Sequence, residues 1–304
     1  RGPLCRKGLM SGMVGGFESS EGVLDGRSCS LVMDRPYIVG ILNVTPDSFS
    51  DGGRYLDLQR AVGHGLRMVA EGADLIDIGG ESTRPGAAQI SEQEELDRVI
   101  PVVEKLRREV DLPLSIDTSK SVVARDAVSA GADFVNDVSG LAFDAGMAGV
   151  VADAGAGLIV MHSRGRPEVM QQDTHYDDLF AEVVASLSKS IAVAESAGVA
   201  RDRIAIDPGV GFGKDVAGNL ELLRRTADLV ALGHPVMLGT SRKSFIGRVL
   251  GKDDPAERLV GTLATVALGY AWGARLFRVH DVAAAREAAV MAHAVCKGAA
   301  WGSL

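Results

Sequence analysis

The feature that most constrains this chain is a pattern repeated eight times: a short apolar run, a polar or glycine-bearing loop, then a longer amphipathic stretch. The runs are Ile38–Leu42, Leu75–Ile78, Pro113–Ile116, Phe134–Val135, Gly157–Met161, Ile204–Ile206, Pro235–Leu238 and Leu276–Val279. They are short, nearly continuous and rich in Ile, Leu and Val, the signature of parallel strands covered on both faces. Between them lie helical patterns such as Glu92–Arg108 and Leu179–Ala197, the first preceded by Ser91 with Glu94 three residues on, a capping box. Eight strand–helix units without a composition shift predict an α/β fold of one domain, a (β/α)8 TIM barrel over residues 22–304. Just before it, Asp25-Gly26 between Val23-Leu24 and Cys29–Met33 predicts a short N-terminal β-hairpin placed to plug the barrel's lower end. Residues 1–21 are read as a disordered extension; Arg1 to Gly16 show no periodicity and no apolar segment of a signal peptide.

Composition narrows the class of partner. Hydrophobic residues make up 46%, enough for a large core. The net charge of −8 argues against nucleic acid or an acidic membrane, while leaving room for small anions held by local cations and backbone amides. No charge-free apolar run reaches the roughly 18 residues of a membrane span. Cys5, Cys29 and Cys296 are too few and scattered for a disulfide framework or a zinc site, which points to a reducing, cytoplasmic setting.

What each run ends on is more specific. Leu42 gives way to Asn43, Ile78 to Gly79-Gly80-Glu81-Ser82-Thr83-Arg84, Ile116 to Asp117, and Val135 to Asn136-Asp137. Met161 leads to His162, Ile206 to Asp207, Leu238 to Gly239-Thr240-Ser241-Arg242-Lys243, and the last run carries Arg278 and stops at His280. In a barrel these positions gather at the carboxyl face, where active sites lie. Asp117, Asn136 and Asp207 suit a flat heterocycle with adjacent N–H donors, and without a histidine partner they make a poor transition-metal set. Arg84, Arg242, Lys243, Arg278 and His280, with glycine-rich loops at Asp51–Gly53 and Gly209–Gly213, suit phosphate. Pro208–Lys214 lacks the Ser or Thr of a Walker loop, and a flexible turn is the plainer account of it.

Seven segments then resemble one family in its own order: the dihydropteroate synthases. Ile41-Leu42-Asn43-Val44-Thr45-Pro46-Asp47-Ser48-Phe49-Ser50-Asp51-Gly52-Gly53 is similar to the first signature, and Gly79-Gly80-Glu81-Ser82-Thr83-Arg84-Pro85-Gly86 to the second. Ile116-Asp117-Thr118, Asn136-Asp137-Val138, Asp207–Lys214, Ser241-Arg242-Lys243-Ser244 and Arg278–Val282 follow. Ser163 stands where the family often has Met, and the N-terminal extension is unusual.

The resemblance implies a transferase that joins 6-hydroxymethyl-7,8-dihydropterin pyrophosphate to p-aminobenzoate. It implies a pterin pocket of Asp117, Asn136, Asp207 and Lys243 with Met161 against the ring and Gly239 beside it. Arg278, His280 and the first loop are then expected to hold pyrophosphate, with Mg2+ at Asn43. Thr83, Arg84, Pro85, Phe212, Lys243 and Ser244 are expected around p-aminobenzoate or a sulfonamide mimic, Arg242 with the pyrophosphate-binding cations, and Asp47 and Phe49 on a loop that closes. Asp117, Lys243, Arg278 and His280 are the expected catalytic set, acting through a cation-like substitution at the pterin methylene without a covalent enzyme intermediate. The nearly all-round apolar stretch Pro255–Ala271 agrees with the family's homodimers. Two rivals are a pterin-binding methyltransferase serving a corrinoid protein and a catalytically silent paralogue. The first has no use for the phosphate-binding half, and the second should have lost part of the site.

Overall fold

The computed structural model describes residues 22–45, 53–83 and 86–298, with the backbone alone at 53–56. The N-terminal extension, Asp47, Phe49, Arg84 and Pro85 lie outside the described residues. The expected hairpin is there: β1 (Val23–Asp25) pairs antiparallel with β2 (Ser30–Val32). Eight parallel strands follow: β3 (Tyr37–Asn43), β4 (Leu75–Gly79), β5 (Leu114–Asp117), β6 (Phe134–Asp137), β7 (Gly157–Met161), β8 (Ile204–Asp207), β9 (Met237–Leu238) and β10 (Leu276–Val279). Their order is β8-β7-β6-β5-β4-β3-β10-β9, and a parallel bridge from Ile206 to Val236 joins the two ends, closing the barrel. The run Pro235–Leu238 is regular over only two residues, Met237 and Leu238, because Val236 pairs through that single bridge.

Helices separate the strands: α1 (Gly53–Ala70), α2 (Glu92–Glu109), α3 (Ser121–Ala130), α4 (Met147–Ala154), α5 (Leu179–Ser196), α6 (Val216–Arg224), α7 (Thr226–Val230), α8 (Ser244–Leu250), α9 (Leu259–Ala271) and α10 (Val282–Lys297). The cap read from sequence holds. Ser91 Oγ accepts from the Glu94 amide at 3.2 Å, with acids in the first turn of α2 and Arg107 and Arg108 in its last. Asp178 and Asp215 cap α5 and α6 in the same way, at 3.0 and 2.7 Å.

Side chains alternate along each strand, so alternate residues line the barrel interior. Low in the barrel this row is apolar: Val39, Leu75, Phe134, Ile159, Ala205, Met237 and Leu276 form one cluster with Leu24, Leu31 and Met33 of the hairpin. The other cluster lies between strands and helices, with Ile38, Leu42, Ile76, Ile116 and Val160 on the strand side. The hairpin therefore seals the lower end. It can seat so close because residue 157 is glycine; a Cβ there would lie 2.2 Å from Phe134 and 2.8 Å from the Asp25 carbonyl. Asp133 fastens it from below, accepting from the Ser28 amide at 3.2 Å and from the Leu114 amide at 3.1 Å.

Candidate active site

One step of two residues up the same interior row, the chemistry changes. Leu75 is followed by Asp77, Phe134 by Asn136, Ile159 by Met161, Ala205 by Asp207, Met237 by Gly239 and Leu276 by Arg278, while Asp117 is the register partner of Asn136. Arg278 ties the layer together: Nε donates to Asp77 Oδ2 and Nη2 to Asp117 Oδ2, both at 2.6 Å. Asn136 Nδ2 donates to the same Asp77 Oδ2 at 2.9 Å. These groups are almost wholly buried, with Asp77 at 1% exposure, Asn136 at 2%, Asp207 at 3% and Asp117 at 6%. Three of their oxygens, the Oδ1 atoms of Asp77, Asp117 and Asn136, are buried with no hydrogen-bond partner among the described residues. A buried acceptor left unmatched costs about 1–3 kcal/mol, so three together mark a surface shaped for donors on a ligand.

The electrostatics agree. Burial pushes the Asp117 carboxyl up to about 7; Arg278 pulls it back, and Asp77 adds to the rise. Burial works against the Arg278 cation, yet the Asp77 and Asp117 carboxylates more than compensate and raise its pKa. Asp207 is also raised by burial, opposed mainly by Lys243. Lys243 is brought down by burial to about 8, with Asp207 opposing the fall.

Lys243 lies opposite that layer. Its ammonium donates to the Val210 carbonyl and stands 4.5 Å from the centre of the Phe212 ring. Gly239 keeps the space between open, since a Cβ there would come 3.8 Å from Asp207 Oδ2 and 3.9 Å from Lys243 Nζ. Asp207 Oδ1 accepts from the Gly209 amide at 2.7 Å, which leaves Oδ2 on the Gly239 side. Ser241 Oγ accepts from the His280 amide at 3.1 Å and lies 3.0 Å from its Nδ1, fixing the imidazole beside β10. Asn43 ends β3, and Thr83 lies just past β4.

Other expected residues are placed differently. Arg242, with φ +59, forks onto Asp281, Nε to Oδ2 at 2.9 Å and Nη2 to Oδ1 at 2.5 Å. Ser244 is exposed at the start of α8. The glycine loop after β8 is not the loose turn expected. Lys214, buried at 4% exposure, donates to the carbonyls of Gly209 at 2.9 Å and Phe212 at 2.8 Å, and its Nζ is 2.8 Å from His162 Nδ1. Burial, then the Lys214 charge, lowers His162 to about 3, so this strand-end histidine is a neutral acceptor occupied by the lysine.

Asp77 escapes a reading by strand ends, because it sits inside an apolar run that hydropathy treats as one block. The signal is a charge at a buried interior position two residues above Leu75. Lys120, held between Glu81 and Glu95 at 2.5 Å each, also escapes it. With Arg98 Nη1 on the Gly80 carbonyl at 2.8 Å, it anchors the stem of the loop after β4.

Comparison with known proteins places this geometry. The family described as pterin binding enzyme matches residues 39–280. The dihydropteroate synthase of Synechocystis sp. is 48% identical over 261 residues, covering 86% of this chain and 90% of that protein. Among solved structures, the Xanthomonas albilineans dihydropteroate synthase with 4-aminobenzoic acid superposes with a TM-score of 0.85 at 48% identity, over 91% of this chain and 98% of that one. The Yersinia pestis dihydropteroate synthase in a sulfonamide drug complex does so with a TM-score of 0.85 at 43% identity, over 91% and 100%. With a family match across the barrel and a relative of this identity over nearly its whole length, the chain belongs to the pterin-binding enzymes and, among them, to the dihydropteroate synthases.

Proposed function

We propose that the chain condenses 6-hydroxymethyl-7,8-dihydropterin pyrophosphate with p-aminobenzoate, giving 7,8-dihydropteroate and pyrophosphate. The observation that carries this is the order of groups around the mouth. From β9 through β8 and β6 to β5 they run Lys243, Asp207, Asn136, Asp117. The perimeter of a pterin runs in the same order: O4 and N5 need a donor, N3–H and the 2-amino group need an acceptor, the 2-amino group and N1 need one of each, and N8–H needs an acceptor. Met161, on β7 between Asp207 and Asn136, is buried where it can pack on the ring.

Pyrophosphate leaves as the C–O bond at the pterin methylene breaks; the aniline nitrogen forms the new C–N bond and then loses its proton. Asp117 faces the ring with an unmatched oxygen and balances positive charge developing there. Arg278 and His280 receive the departing anion. When the Ser241 hydroxyl donates to Nδ1, the ring proton of His280 stands on Nε2 as a donor. No group of three or more Cys, His, Asp or Glu side chains among the described residues could hold a metal alone. The Asn43 amide oxygen instead suits a hard cation that keeps waters and takes its other oxygens from the substrate, the habit of Mg2+. Bound so, Mg2+ would neutralise charge on the pyrophosphate. Thr83, Phe212 and Ser244 border the p-aminobenzoate side, the place for a sulfonamide. Arg84, Pro85, Asp47 and Phe49 belong to this reading by motif alone.

The decisive experiment incubates the purified chain with both substrates and Mg2+ and measures pyrophosphate release and pteroate formation together. Methyl transfer from a methylated pterin without pyrophosphate, or binding without turnover, would overturn the assignment. The same reading takes the enzyme as a cytoplasmic homodimer. In support, no helix among the described residues is long and apolar enough to cross a membrane. On the packed pair α9 and α10, Val260 is 75% exposed, Met291 64%, Val295 69% and Leu268 48%. Light scattering should give twice the chain mass for the wild type and the chain mass for Val260→Asp combined with Val295→Asp. A wild-type monomer at every concentration would reject the dimer.

A further inference from the structure

No group of the pterin is assigned to Asp77, although its Oδ1 is one of the three unmatched acceptors, and two residues that do hold a substrate group are bonded to it. Its Oδ2 accepts from Arg278 Nε at 2.6 Å and from Asn136 Nδ2 at 2.9 Å, and all three side chains meet inside the barrel. A carboxylate has acceptors and no donor. That has a consequence for Asn136. A side-chain amide has two orientations of nearly equal shape, related by exchange of oxygen and nitrogen, and only its partners choose between them. Flipped, Asn136 would set its oxygen about 2.9 Å from Asp77 Oδ2, acceptor against acceptor in a buried site. Unflipped, it directs one Nδ2 hydrogen to Asp77 and keeps its unpartnered Oδ1 and second hydrogen for the ligand.

We propose that Asp77 is a specificity-determining positioning residue, which locks the Asn136 amide in one of its two orientations and so commits the site to 2-aminopteridines over 2-oxopteridines. This rests on the pterin reading and deepens it. A 2-aminopteridine presents a donor, the amino group, beside an acceptor, N1. A 2-oxopteridine presents the reverse, a carbonyl oxygen beside N1–H, which is complementary only to the flipped amide. Asp207 accepts at the neighbouring edge and disfavours the 2-oxo ring as well, but that share stays constant when residue 77 is changed.

The test is calorimetry of 6-hydroxymethylpterin and its 2-oxo counterpart, on the wild type and on Asp77→Asn and Asp77→Ser. The wild type should prefer the 2-amino ligand by at least about tenfold, since a reversed donor–acceptor pair leaves buried polar groups unmatched. In the variants the 2-amino to 2-oxo ratio should fall several-fold, because residue 77 then tolerates either amide orientation. A purely structural role for Asp77, or one acting only through Arg278, would weaken both ligands alike and leave the ratio unchanged, which overturns the proposal. Equal binding of both ligands by the wild type overturns it too, without any variant and whether or not the variants fold. If the wild type binds neither pteridine, the pterin reading itself fails; if it binds with the expected preference and the variants keep that ratio, only the role of Asp77 does.

Discussion

Asp117 sits where its charge is unwelcome until a ligand arrives. Its pKa of about 7 in the folded chain, against an ordinary 3.8, means that the folded state holds this proton more tightly than the unfolded one. Its contribution to stability is therefore present below about pH 4 and is lost as pH rises through 7. Asp117→Asn removes that loss. Its melting temperature should exceed that of the wild type by a margin that widens between pH 4 and pH 7, while turnover collapses. A constant margin across that range would show that the carboxyl titrates normally. Single residues were legible in the sequence to different degrees. Asp117, Asn136 and Asp207 stood out because each marks a change from apolar to polar along the chain; Arg278, inside the run Leu276–Val279, stood out through the motif Arg278–Val282. Asp77 did not, since Ile76 and Ile78 flank it and its meaning comes from which way a strand residue points, a property of the period of two rather than of the run.

The loop after β8 and the loop after β4 behave as different kinds of element. The first is stapled by Lys214, whose ammonium accounts for two loop carbonyls and His162, and by Asn219 Oδ1 on the Gly211 amide at 2.6 Å. Lys214→Met leaves those carbonyls unmatched, a loss of about 1–3 kcal/mol for each buried group. The KM for p-aminobenzoate should rise several-fold through Phe212, and that for the pterin substrate should stay within about twofold; equal rises in steady-state kinetics would place the loop in the pterin pocket instead. The second loop is held at its stem by Arg98 on Gly80 and Lys120 on Glu81, and beyond it the Gly86 amide donates to the Pro167 carbonyl at 3.1 Å. If pyrophosphate completes the p-aminobenzoate pocket through this stretch, a sulfonamide should bind weakly to the empty enzyme and about 1–3 kcal/mol more tightly with pyrophosphate, Mg2+ and a pterin present. Equal affinities by calorimetry would mean a preformed pocket. The existence and type of nearly every element were legible in the sequence because each strand is a run bounded by punctuation. It missed the staple because a lysine after three glycines looks the same whether it faces water or folds back on its own carbonyls.

For the molecule as a whole, the site and the hairpin occupy opposite ends of one barrel. Leu24, with no exposure, belongs to the floor cluster with Val39, Leu75 and Met237. Leu24→Ala should lower stability by about 2–5 kcal/mol in denaturant unfolding and leave pterin affinity unchanged. A matching loss of affinity would mean that floor and mouth are mechanically joined. The closed floor also governs traffic. A barrel packed with side chains and capped below has a single door, so both reactants come in and both products go out by the same opening. Nothing can flow through; the pocket has to empty before it refills. A product still lodged over the strand ends stands in the way of the next pterin, and catalysis here is a queue at one threshold.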